Sequence, residues 1–598
     1  MRLLILCYVL SLFSYGQTVV KKVDSTWTME VNGKSFDIKG ATFGYHDDVA
    51  NYDTYFKDLK SLGVNTIRTW GTDGNTPALL DAAERHDIKV MLGIWLRHGR
   101  PGMEDDDSFD YLTDTKGMEA MYNAAVETVN TYRDHPALLS WGVGNEVYLN
   151  MATDEEKLAY SKFLERVCSN IKKLDANHPI TSVEAWTFGL DWWEKYVPSI
   201  DIYGLNSYGP GVGLLQDELD KSQIDKPYIV TEFGVIGEWD VPADKNGVKI
   251  EPSDKQKYDA IVKGYANWIK DKPSCLGVYV FHYSSGTDFG GVWLMTHFKG
   301  LFRPQYWAIR EAFTGQTPDN QVPVIKTFSL PDAEYNSETW IPVSLDVSDV
   351  ENEALDISFY YNQREGSRRR RNQILSLNFR GNLEQGFEIQ LPQEQGVIKA
   401  YAFAKDTYGN LGIASTSIKV KDNIAAKRKF KVPKATLPFY VYKDNEHVPY
   451  FPSAYMGNYR AMEVDLNHTK TVHSGKTAIE ISYNVGYDWY GFAMVDPAND
   501  WGDILGGYDI SGAKTFSFWA KSDSSNVMAT IGFGLIDDDK TYHDTAKKSV
   551  EIKLTKEWKK YTIKTKRLDL SCIRSGLVVF SGGVGLPHKI YIDDVVFE

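Results

Sequence analysis

The chain has 598 residues, more than a single hydrophobic core serves, so about two to four domains are expected. Its 80 acidic residues outnumber 66 basic ones, which argues against a nucleic-acid-binding protein, because such proteins usually carry a basic face. The 16 Trp, 36 Tyr and 27 Phe suit surfaces that stack on sugar rings, although packing within β-rich domains also explains them.

Residues 1–16 predict a signal peptide, because Arg2 precedes an almost wholly apolar run that ends in small and polar residues. The run is too short to span a bilayer, and no later run is long enough. We therefore expect an exported protein, periplasmic, cell-surface or secreted, without a membrane span. Cys168, Cys275 and Cys572 are scattered, which predicts buried thiols rather than disulfides or a metal cluster.

Residues 23–315 alternate strand-like and helix-like patterns, which predicts a (β/α)8 TIM barrel. Helices are expected at 76–86, 118–133 and 256–270, and two helices begin with capping boxes, at Thr153 and Ser253. A doubly wound open sheet is the alternative, but the glycine-rich phosphate turn after its first strand is missing. The eight barrel strands are predicted at 36–45, 64–70, 88–96, 138–147, 180–186, 200–208, 228–233 and 276–283.

Two strand-only regions follow the predicted barrel. After a linker at 316–321, residues 322–421 have the length of about 100 residues and the turn signals of an immunoglobulin-like β-sandwich. After a second linker at 422–434, residues 437–598 show the short strands of a β jelly roll. The arginine run 368–371 in the sandwich is interpreted as a solvated hairpin loop or as a contact for an acidic or sulfated polymer.

Two of the predicted barrel strands end in a carboxylate. Glu146 follows Asn145 at the tip of strand four, and Glu232 lies at the tip of strand seven. A parallel barrel keeps its chemistry at these tips, and a buried carboxylate is costly unless it has a partner or a task. Two facing carboxylates are the minimum for cleaving a glycosidic bond. The alternative interpretation is that both are ion-paired residues of the barrel rim.

Further polar and aromatic residues are predicted at the same end of the barrel. Carboxylates, a buried cation and an aromatic wall that converge there would bind and protonate a sugar. The acidic runs 47–48 and 104–107 and the pair Glu238 and Trp239 are expected around the mouth of the cleft. The predicted substrate-binding residues are Arg68, Trp95, His98, Asn145, Trp186, Asn206, Tyr208, His282 and Trp293.

The order of these motifs along the barrel, Arg68, Asn145-Glu146, Asn206-x-Tyr208 and Glu232, resembles the clan A retaining glycoside hydrolases. The resemblance implies that Glu146 is the general acid/base and Glu232 the nucleophile. It implies further that Asn145 holds the 2-hydroxyl of the sugar, and that Arg68 and Tyr208 hold the Glu232 carboxylate.

The chain departs from this clan at strand eight. A Trp is usual there, whereas this chain has Phe281-His282-Tyr283. Trp293, in the loop that follows, is expected to take over the floor of the −1 subsite, the pocket for the sugar whose bond is cleaved.

Segments 67–71 and 90–95 are similar to β-1,3-glucan-active members of the clan, such as glycoside hydrolase family 158, which also follows its barrel with an immunoglobulin-like domain. The resemblance implies an endo-β-1,3-glucanase acting on a laminarin-type polysaccharide. Other β-glucans, mannans and galactans are alternatives, as is transglycosylation. A catalytically silent polysaccharide-binding protein is an alternative of another class, although such a protein has no need of the complete set of site residues.

Residues 437–598 resemble carbohydrate-binding jelly rolls, through segment 515–521 and the closing segment 590–595. The resemblance implies a structural Ca²⁺, an oxygen-seeking ion, at Asp593 or Asp594. No cofactor is expected for catalysis. Four aromatic residues form either a sugar platform or core or loop packing: Tyr487, Trp489, Tyr490 and Trp501.

Overall fold

The structure, a computed structural model, describes residues 16–99, 108–288, 291–364, 373–393, 396–421, 432–445, 448–537 and 540–598. Almost all of the predicted signal peptide, the acidic run 104–107, the arginine run 368–371 and most of the second linker lie outside these residues. The chain divides into two compact units, the first extending to Val420 and the second comprising Lys421–Glu598 with the short segments Asn336–Glu338 and Gln393–Gln395. Among the described helices, none has the length and apolarity needed to cross a bilayer.

The first unit begins with a three-stranded antiparallel sheet that the sequence patterns did not predict. It consists of β1 (Thr18–Val23), β2 (Thr26–Val31) and β3 (Lys34–Ser35). Met29 and Val31 of β2 pack with Ile38, Leu139 and Ile229. Each of these three residues is the first or second residue of its barrel strand. This sheet therefore closes the end of the barrel opposite the strand tips.

Eight parallel strands then form a closed barrel, as predicted, in the order β10-β11-β4-β5-β6-β7-β8-β9. The strands are β4 (Ile38–Phe43), β5 (Thr66–Arg68), β6 (Lys89–Ile94), β7 (Leu138–Asn145), β8 (Ile180–Ala185), β9 (Ile202–Asn206), β10 (Tyr228–Phe233) and β11 (Cys275–Tyr283). Several predicted strands extend beyond the observed ends, because the residues at their tips leave the ladder and project into the site.

In the described part of the chain, eight α-helices surround the barrel strands. They are α1 (Tyr52–Ser61), α2 (Thr76–Arg85), α3 (Thr115–Tyr132), α4 (Asp154–Leu174), α5 (Leu190–Tyr196), α6 (Leu215–Lys221), α7 (Asp254–Gly264) and α8 (Pro304–Thr314). Helix α7 begins with the predicted capping box, in which Ser253 and Gln256 exchange side-chain and backbone hydrogen bonds. At α4 the Thr153 hydroxyl accepts from the backbone N–H of Glu156 at 3.3 Å.

The sandwich consists of two antiparallel sheets, in the orders β14-β16-β20-β19 and β15-β22-β21-β17-β18. The short hairpin β12 (His297–Phe298) and β13 (Leu301–Phe302) precedes it in the loop after β11. The sandwich strands are β14 (Val324–Ser329), β15 (Tyr335–Asn336), β16 (Trp340–Ser348), β17 (Asp356–Gln363), β18 (Leu375–Ser376), β19 (Phe379–Asn382), β20 (Gly386–Gln390), β21 (Gly396–Lys405) and β22 (Leu411–Lys421). Ile341, Ile389 and Ile398 are fully buried between the sheets.

The sandwich is joined to the barrel by buried charges. The Glu251 carboxylate lies 2.6 Å from the Lys257 ammonium of α7 and 2.5 Å from the Lys399 ammonium of β21, and all three side chains are at most 4% exposed. Burial alone would raise the pKa of Glu251, but the two ammonium groups hold it well below its usual range. Removing one partner of such a buried group typically costs about 3–5 kcal/mol, so barrel and sandwich form one body.

A second buried contact strengthens this joint. Arg303 of the barrel donates to both carboxylate oxygens of Asp254, at 3.0 and 2.7 Å, and to the Leu411 carbonyl of the sandwich at 2.5 Å. Beside it, Phe298 packs on Phe403 with ring centroids 5.2 Å apart. The predicted linker at 316–321 is present as irregular chain, but the domains on either side of it are not independent.

The second unit is a sandwich of two antiparallel sheets, with the architecture predicted for a jelly roll. One sheet has the order β25-β26-β33-β28-β31, with β23 pairing to β33, and the other has the order β24-β27-β32-β29-β30. Phe516 and Phe518 of β28 face Ile531 and Val579 of the opposite sheet in the core. The strands are β23 (Phe439–Tyr442), β24 (Phe451–Gly457), β25 (Met462–His468), β26 (Ala478–Tyr483), β27 (Trp489–Val495), β28 (Thr515–Ser522), β29 (Met528–Phe533), β30 (Lys548–Lys553), β31 (Lys559–Lys564), β32 (Ser575–Gly582) and β33 (His588–Phe597).

Candidate active site

The carboxyl ends of the barrel strands bring the predicted catalytic residues together. Arg68 is the last residue of β5, Asn145 the last of β7, and Asn206 the last of β9. Glu146 immediately follows β7, and Glu232 is the penultimate residue of β10. Because parallel strands of a closed barrel end on one face, these side chains share one site.

The Glu232 carboxylate is held by three donors. Arg68 Nη1 lies 3.0 Å from Oε1, Trp70 Nε1 lies 3.2 Å from the same oxygen, and the Tyr208 hydroxyl donates to Oε2 at 2.8 Å. Burial, followed by the nearby charge of Glu232, raises the pKa of Tyr208 well above its ordinary value. Tyr208 therefore keeps its proton and remains a donor.

Arg68 is almost completely buried, with 1% of its surface exposed, and its other donors also serve the site. Its Nη1 donates to the Thr231 carbonyl at 2.9 Å, and its Nη2 donates to Asn145 Oδ1 at 2.6 Å. A buried guanidinium of this kind is stable only because it has a charged partner and satisfied hydrogen bonds. Arg68 thus fixes the nucleophile candidate and Asn145 at the same time.

Glu146 is held in an unusual backbone conformation. Its φ of 53° lies in the left-handed region, which is strained for a residue with a side chain and is often found at functional sites. The backbone N–H of Glu146 donates to the Val183 carbonyl at 3.0 Å, and Asn150 Nδ2 donates to the Glu146 carbonyl at 3.0 Å. Asn206 Nδ2 donates to Glu146 Oε1 at 2.8 Å, which directs the carboxyl group towards β9.

Asn206 connects the surroundings of the two carboxyl groups. Besides donating to Glu146, its Oδ1 accepts from the Thr231 hydroxyl at 2.8 Å, and Thr231 directly precedes Glu232. Its Nδ2 also lies 3.2 Å from Asn145 Oδ1. Asn206 therefore joins the Glu146 carboxyl group to the side chain of the residue that precedes Glu232.

Other predicted residues surround this centre with different exposures. His98 is buried and its Nε2 lies 2.8 Å from the Asn145 carbonyl, while the neighbouring Trp95 is 44% exposed. Trp186 is partly exposed at the tip of β8. His282 Nδ1 lies 2.8 Å from the Thr42 hydroxyl, and burial lowers the pKa of His282 to about 3, so its ring is neutral at physiological pH.

The prediction that Trp293 binds the substrate is wrong for this structure. Its side chain is fully buried, and its Nε1 donates to the Ile236 carbonyl at 3.0 Å. The Lys399 ammonium of the sandwich lies 4.9 Å from the ring centroid. Trp293 is consequently a packing residue of the joint between barrel and sandwich, and no face of its ring is open to a sugar.

Two residues were missing from the predicted site. Trp70 donates to Glu232, and it could have been found because side chains in an extended segment alternate, so that Trp70 lies on the same side as Arg68. Glu184, in β8, is a third carboxylate, 1% exposed. Its position near the tip of strand five was the available signal.

Glu184 supports the turn that follows Glu146. Its Oε2 accepts from the backbone N–H of Tyr148 at 2.7 Å, and its Oε1 accepts from Ala185 at 2.8 Å and Leu149 at 3.4 Å. Burial, and then the charge of Glu146, outweigh these hydrogen bonds and raise the pKa of Glu184 to about 8. Glu184 is therefore protonated over most of the physiological pH range.

A pocket of about 240 Å³ adjoins the site and is lined in part by Trp70, Asp73 and Asn75.

Two groups of His, Asp and Glu side chains in the described chain have ligand atoms close enough for a metal ion: His46, Asp47 and Asp73, which are exposed, and Asp81, Glu84 and His135. Neither group includes Glu146 or Glu232.

The Ca²⁺ predicted in the second unit remains a prediction. The Asp593 carboxylate accepts from the backbone N–H groups of His473 and Ser474, at 2.9 and 3.1 Å. Asp594 accepts from the Ser474 hydroxyl at 2.8 Å, and its Oδ2 lies 2.9 Å from His473 Nδ1. In the described part of the chain, both carboxylates thus already stabilise the loop that precedes β26.

Residues 25–270 match the sequence model of the TIM barrel domain of glycosyl hydrolases family 2. This part of the chain is a glycoside hydrolase barrel. The match is to family 2 over these residues, and the expected likeness to family 158 is not supported.

The glycoside hydrolase barrel is similar in sequence to two groups of known enzymes. A probable mannan endo-1,4-beta-mannosidase A-2 of Aspergillus terreus is 26% identical over 229 residues, covering 30% of this chain and 54% of that protein. The beta-glucuronidase of Pongo abelii is 28% identical over 192 residues, covering 30% of this chain and 26% of that protein. The chain thus spans about half, or less, of the length of these relatives.

Two solved structures align with this chain at low identity. The alignment with the Bacteroides uniformis beta-glucuronidase covers 97% of this chain and 67% of that chain, with 13% identity and a TM-score of 0.38. The alignment with the endo-1,4-beta-mannanase from Rhizomucor miehei covers 45% of this chain and 91% of that chain, with 17% identity and a TM-score of 0.35.

Glu184→Gln tests the buried third carboxylate. The raised pKa means that protonated Glu184 favours the folded barrel, so its contribution is complete below about pH 4.5 and is lost as pH rises through about 8. We expect the stability of the wild type relative to Glu184→Gln to fall by roughly 2–4 kcal/mol across this range. Thermal unfolding as a function of pH measures this difference.

The matched control is Glu84→Gln, because Glu84 is exposed on α2. The loss of this exposed carboxyl group should change the free energy of unfolding by no more than about 0.5 kcal/mol. A Glu184→Gln profile parallel to that of the wild type would show that Glu184 has no raised pKa.

Proposed function

We propose that this protein is an exported retaining β-glycoside hydrolase that cleaves a β-linked polysaccharide by double displacement. The observation that carries the proposal is the pair of carboxyl groups at the tips of β7 and β10, which have different hydrogen-bond partners. Glu232 faces the guanidinium of Arg68, whereas Glu146 receives an amide donor. Export follows from the signal-peptide pattern of residues 1–16.

In the first step, a Glu232 oxygen attacks the anomeric carbon of the bound sugar. The glycosidic C–O bond breaks as Glu146 gives its proton to the departing oxygen, and an ester joins the sugar to Glu232. Arg68, Trp70 and Tyr208 orient the attacking carboxylate, so little reorganisation is needed during the reaction.

In the second step, Glu146 acts as a base. It removes a proton from a water molecule whose oxygen attacks the anomeric carbon, and the ester bond breaks to restore the Glu232 carboxylate. Two inversions give net retention, which requires the two carboxyl groups to lie ~5–5.5 Å apart. A sugar hydroxyl in place of water would give transglycosylation by the same residues.

Asn145 is assigned to the 2-hydroxyl of the sugar in the cleavage subsite. Its Oδ1 already accepts from Arg68 and Asn206, so its Nδ2 is the group that would donate to this hydroxyl. Hydrogen bonds to the 2-hydroxyl strengthen in the transition state and supply several kcal/mol to catalysis.

Two polysaccharides are the leading substrate candidates. Segments 67–71 and 90–95 favour a laminarin-type β-1,3-glucan. The relatives named as mannan endo-1,4-beta-mannosidases favour a β-mannan. A panel of soluble β-glucans, mannans and galactans, with the product sizes measured, distinguishes these substrates and also separates endo from exo cleavage. A chain that bound one of them without cleaving it would be the catalytically silent alternative.

Replacing each carboxylate in turn separates their roles. In Glu232→Ala, azide occupies the place of the nucleophile and is expected to give an inverted glycosyl azide. In Glu146→Ala, an activated aryl-glycoside still forms the ester, because its leaving group needs no proton, and azide then gives a retained product. General acid catalysis typically contributes ~10²–10⁴-fold, so poor leaving groups should suffer most in Glu146→Ala.

The measurement is the anomeric configuration of each azide product by NMR. Wild-type protein with azide is the control and should give mainly hydrolysis. A retained product from Glu232→Ala, or an inverted one from Glu146→Ala, would mean that the two roles are reversed.

Truncation after Val420 tests the contribution of the second unit. We expect unchanged kcat/KM on a small aryl-glycoside and a loss of roughly tenfold on insoluble polymer, because a tethered binding module raises the effective concentration of substrate. The chain should end at Val420 and not at Gly315, since the shorter chain would lose Lys399 and expose Glu251. Equal losses on both substrates in a folded truncated protein would place the second unit in the active site.

A further inference from the structure

The loop after β10 carries an aromatic side chain beside the nucleophile candidate. Trp239 lies in the single turn Glu238–Asp240, and its ring centroid is 5.3 Å from that of Tyr208, which holds Glu232. The Trp239 side chain is 53% exposed at the end of the barrel where the strand tips meet. A half-exposed indole packed on one side offers its open face to a flat apolar surface, such as the C–H face of a pyranose ring.

The position of the Trp239 ring depends on its neighbours. A Cβ at Gly237 would lie only 2.3–2.5 Å from three atoms of the indole, so the ring rests directly on the glycine backbone. The turn is a single 3₁₀ turn, and such short pieces have little stability of their own. The indole therefore needs an external contact to keep its place.

That contact comes from the sandwich. Arg364 Nη2 donates to Glu238 Oε1 at 2.5 Å, and the two side chains are only 14% and 20% exposed. Arg364 follows β17 directly, and its Nη1 donates to Oδ1 of the fully buried Asn362 at 3.3 Å. Asn362 in turn donates to the Gln373 carbonyl at 2.7 Å, which anchors the guanidinium in the sheet.

We propose that the immunoglobulin-like sandwich takes part in substrate selection, because Arg364 holds the Glu238–Asp240 turn so that Trp239 forms a stacking wall for a pyranose unit of the polymer next to the cleaved bond. This inference rests on the proposed glycoside hydrolase function. Arg364 is a positioning residue in it, and Trp239 is the residue that contacts the sugar.

The stability of the joint does not explain the Arg364–Glu238 pair. The Glu251–Lys399 pair and the bond from Arg303 to the Leu411 carbonyl already bind sandwich to barrel through groups that are more deeply buried. The Arg364–Glu238 pair instead reaches the one turn that carries the exposed indole. Its removal should therefore loosen Trp239 while leaving the joint, and the Tyr208 bond to Glu232, in place.

The test compares two substrates of the same sugar: the polymer that the wild type cleaves fastest and an activated aryl-glycoside that occupies only the cleavage subsite. For Arg364→Ala we expect kcat/KM on the polymer to fall about 5- to 10-fold, mainly because KM rises. A loss of this size is typical of one aromatic contact. On the aryl-glycoside the loss should stay below about twofold. Glu238→Gln, which keeps the size of the side chain and removes its charge, should behave like Arg364→Ala, and Arg364→Lys should recover part of the loss.

A double-variant cycle tests whether Arg364 acts through Trp239. Trp239→Ala alone should lose at least as much polymer activity as Arg364→Ala, and adding Arg364→Ala to it should cause no further loss. Lys245→Ala is the matched control, because Lys245 pairs with Asp332 across the same joint through exposed side chains, and this pair includes no residue of the turn. It should leave both activities unchanged.

Three results would overturn the inference: equal losses on both substrates, full polymer activity in Arg364→Ala and Glu238→Gln, or additive losses in the double variant. If the wild type cleaves neither substrate, the proposed function fails and this inference fails with it. If the wild type cleaves both and Arg364→Ala is unchanged, only the inference fails. Thermal unfolding of each variant shows whether a loss of activity reflects misfolding. If Arg364→Ala is misfolded, the activities of Glu238→Gln on the two substrates decide whether the inference holds.

Discussion

The buried ion pair of Arg68 and Glu232 is the interaction on which the rest of the site depends. With side chains 2% and 9% exposed, each charge is stable only because the other lies 3.0 Å away and further hydrogen bonds surround both. Arg68 also binds Asn145 and the Thr231 carbonyl, so the ends of β5, β7 and β10 are fixed by one guanidinium. Replacing Arg68 would disturb the nucleophile candidate, the residue assigned to the 2-hydroxyl and the barrel rim together.

This arrangement explains why two carboxylates at one end of a barrel can differ in role. Glu232 is surrounded by a cation and two neutral donors. Glu146 has a left-handed backbone conformation, and Glu184 accepts a hydrogen bond from the backbone of the turn that follows it. Burial raises the pKa of Glu184 to about 8. A neutral Glu184 adds no second negative charge beside the acid/base candidate, and it stabilises the turn through its backbone contacts.

The convergence of the candidate catalytic residues at one end of the barrel could be predicted from the sequence because its signals are local. A buried strand that ends in a carboxylate, as at Glu146 and Glu232, can be recognised within ten residues or so. Trp293 could not be placed in this way, since its burial depends on Lys399 and the Ile236 carbonyl, which lie far away along the chain. Arg364 belongs to no motif, and its significance appears only when the sandwich is seen against the loop after β10.

The central claim is that Glu232 forms the covalent bond to the sugar. It is tested most directly by incubating the wild-type protein with activated 2-deoxy-2-fluoro-β-glycosides of gluco and manno configuration, which form the ester quickly and release it slowly. Proteolysis and mass spectrometry then locate the labelled residue. The account predicts an ester on Glu232, in the segment that begins with Tyr228. An ester on Glu146 or Glu184 would contradict it.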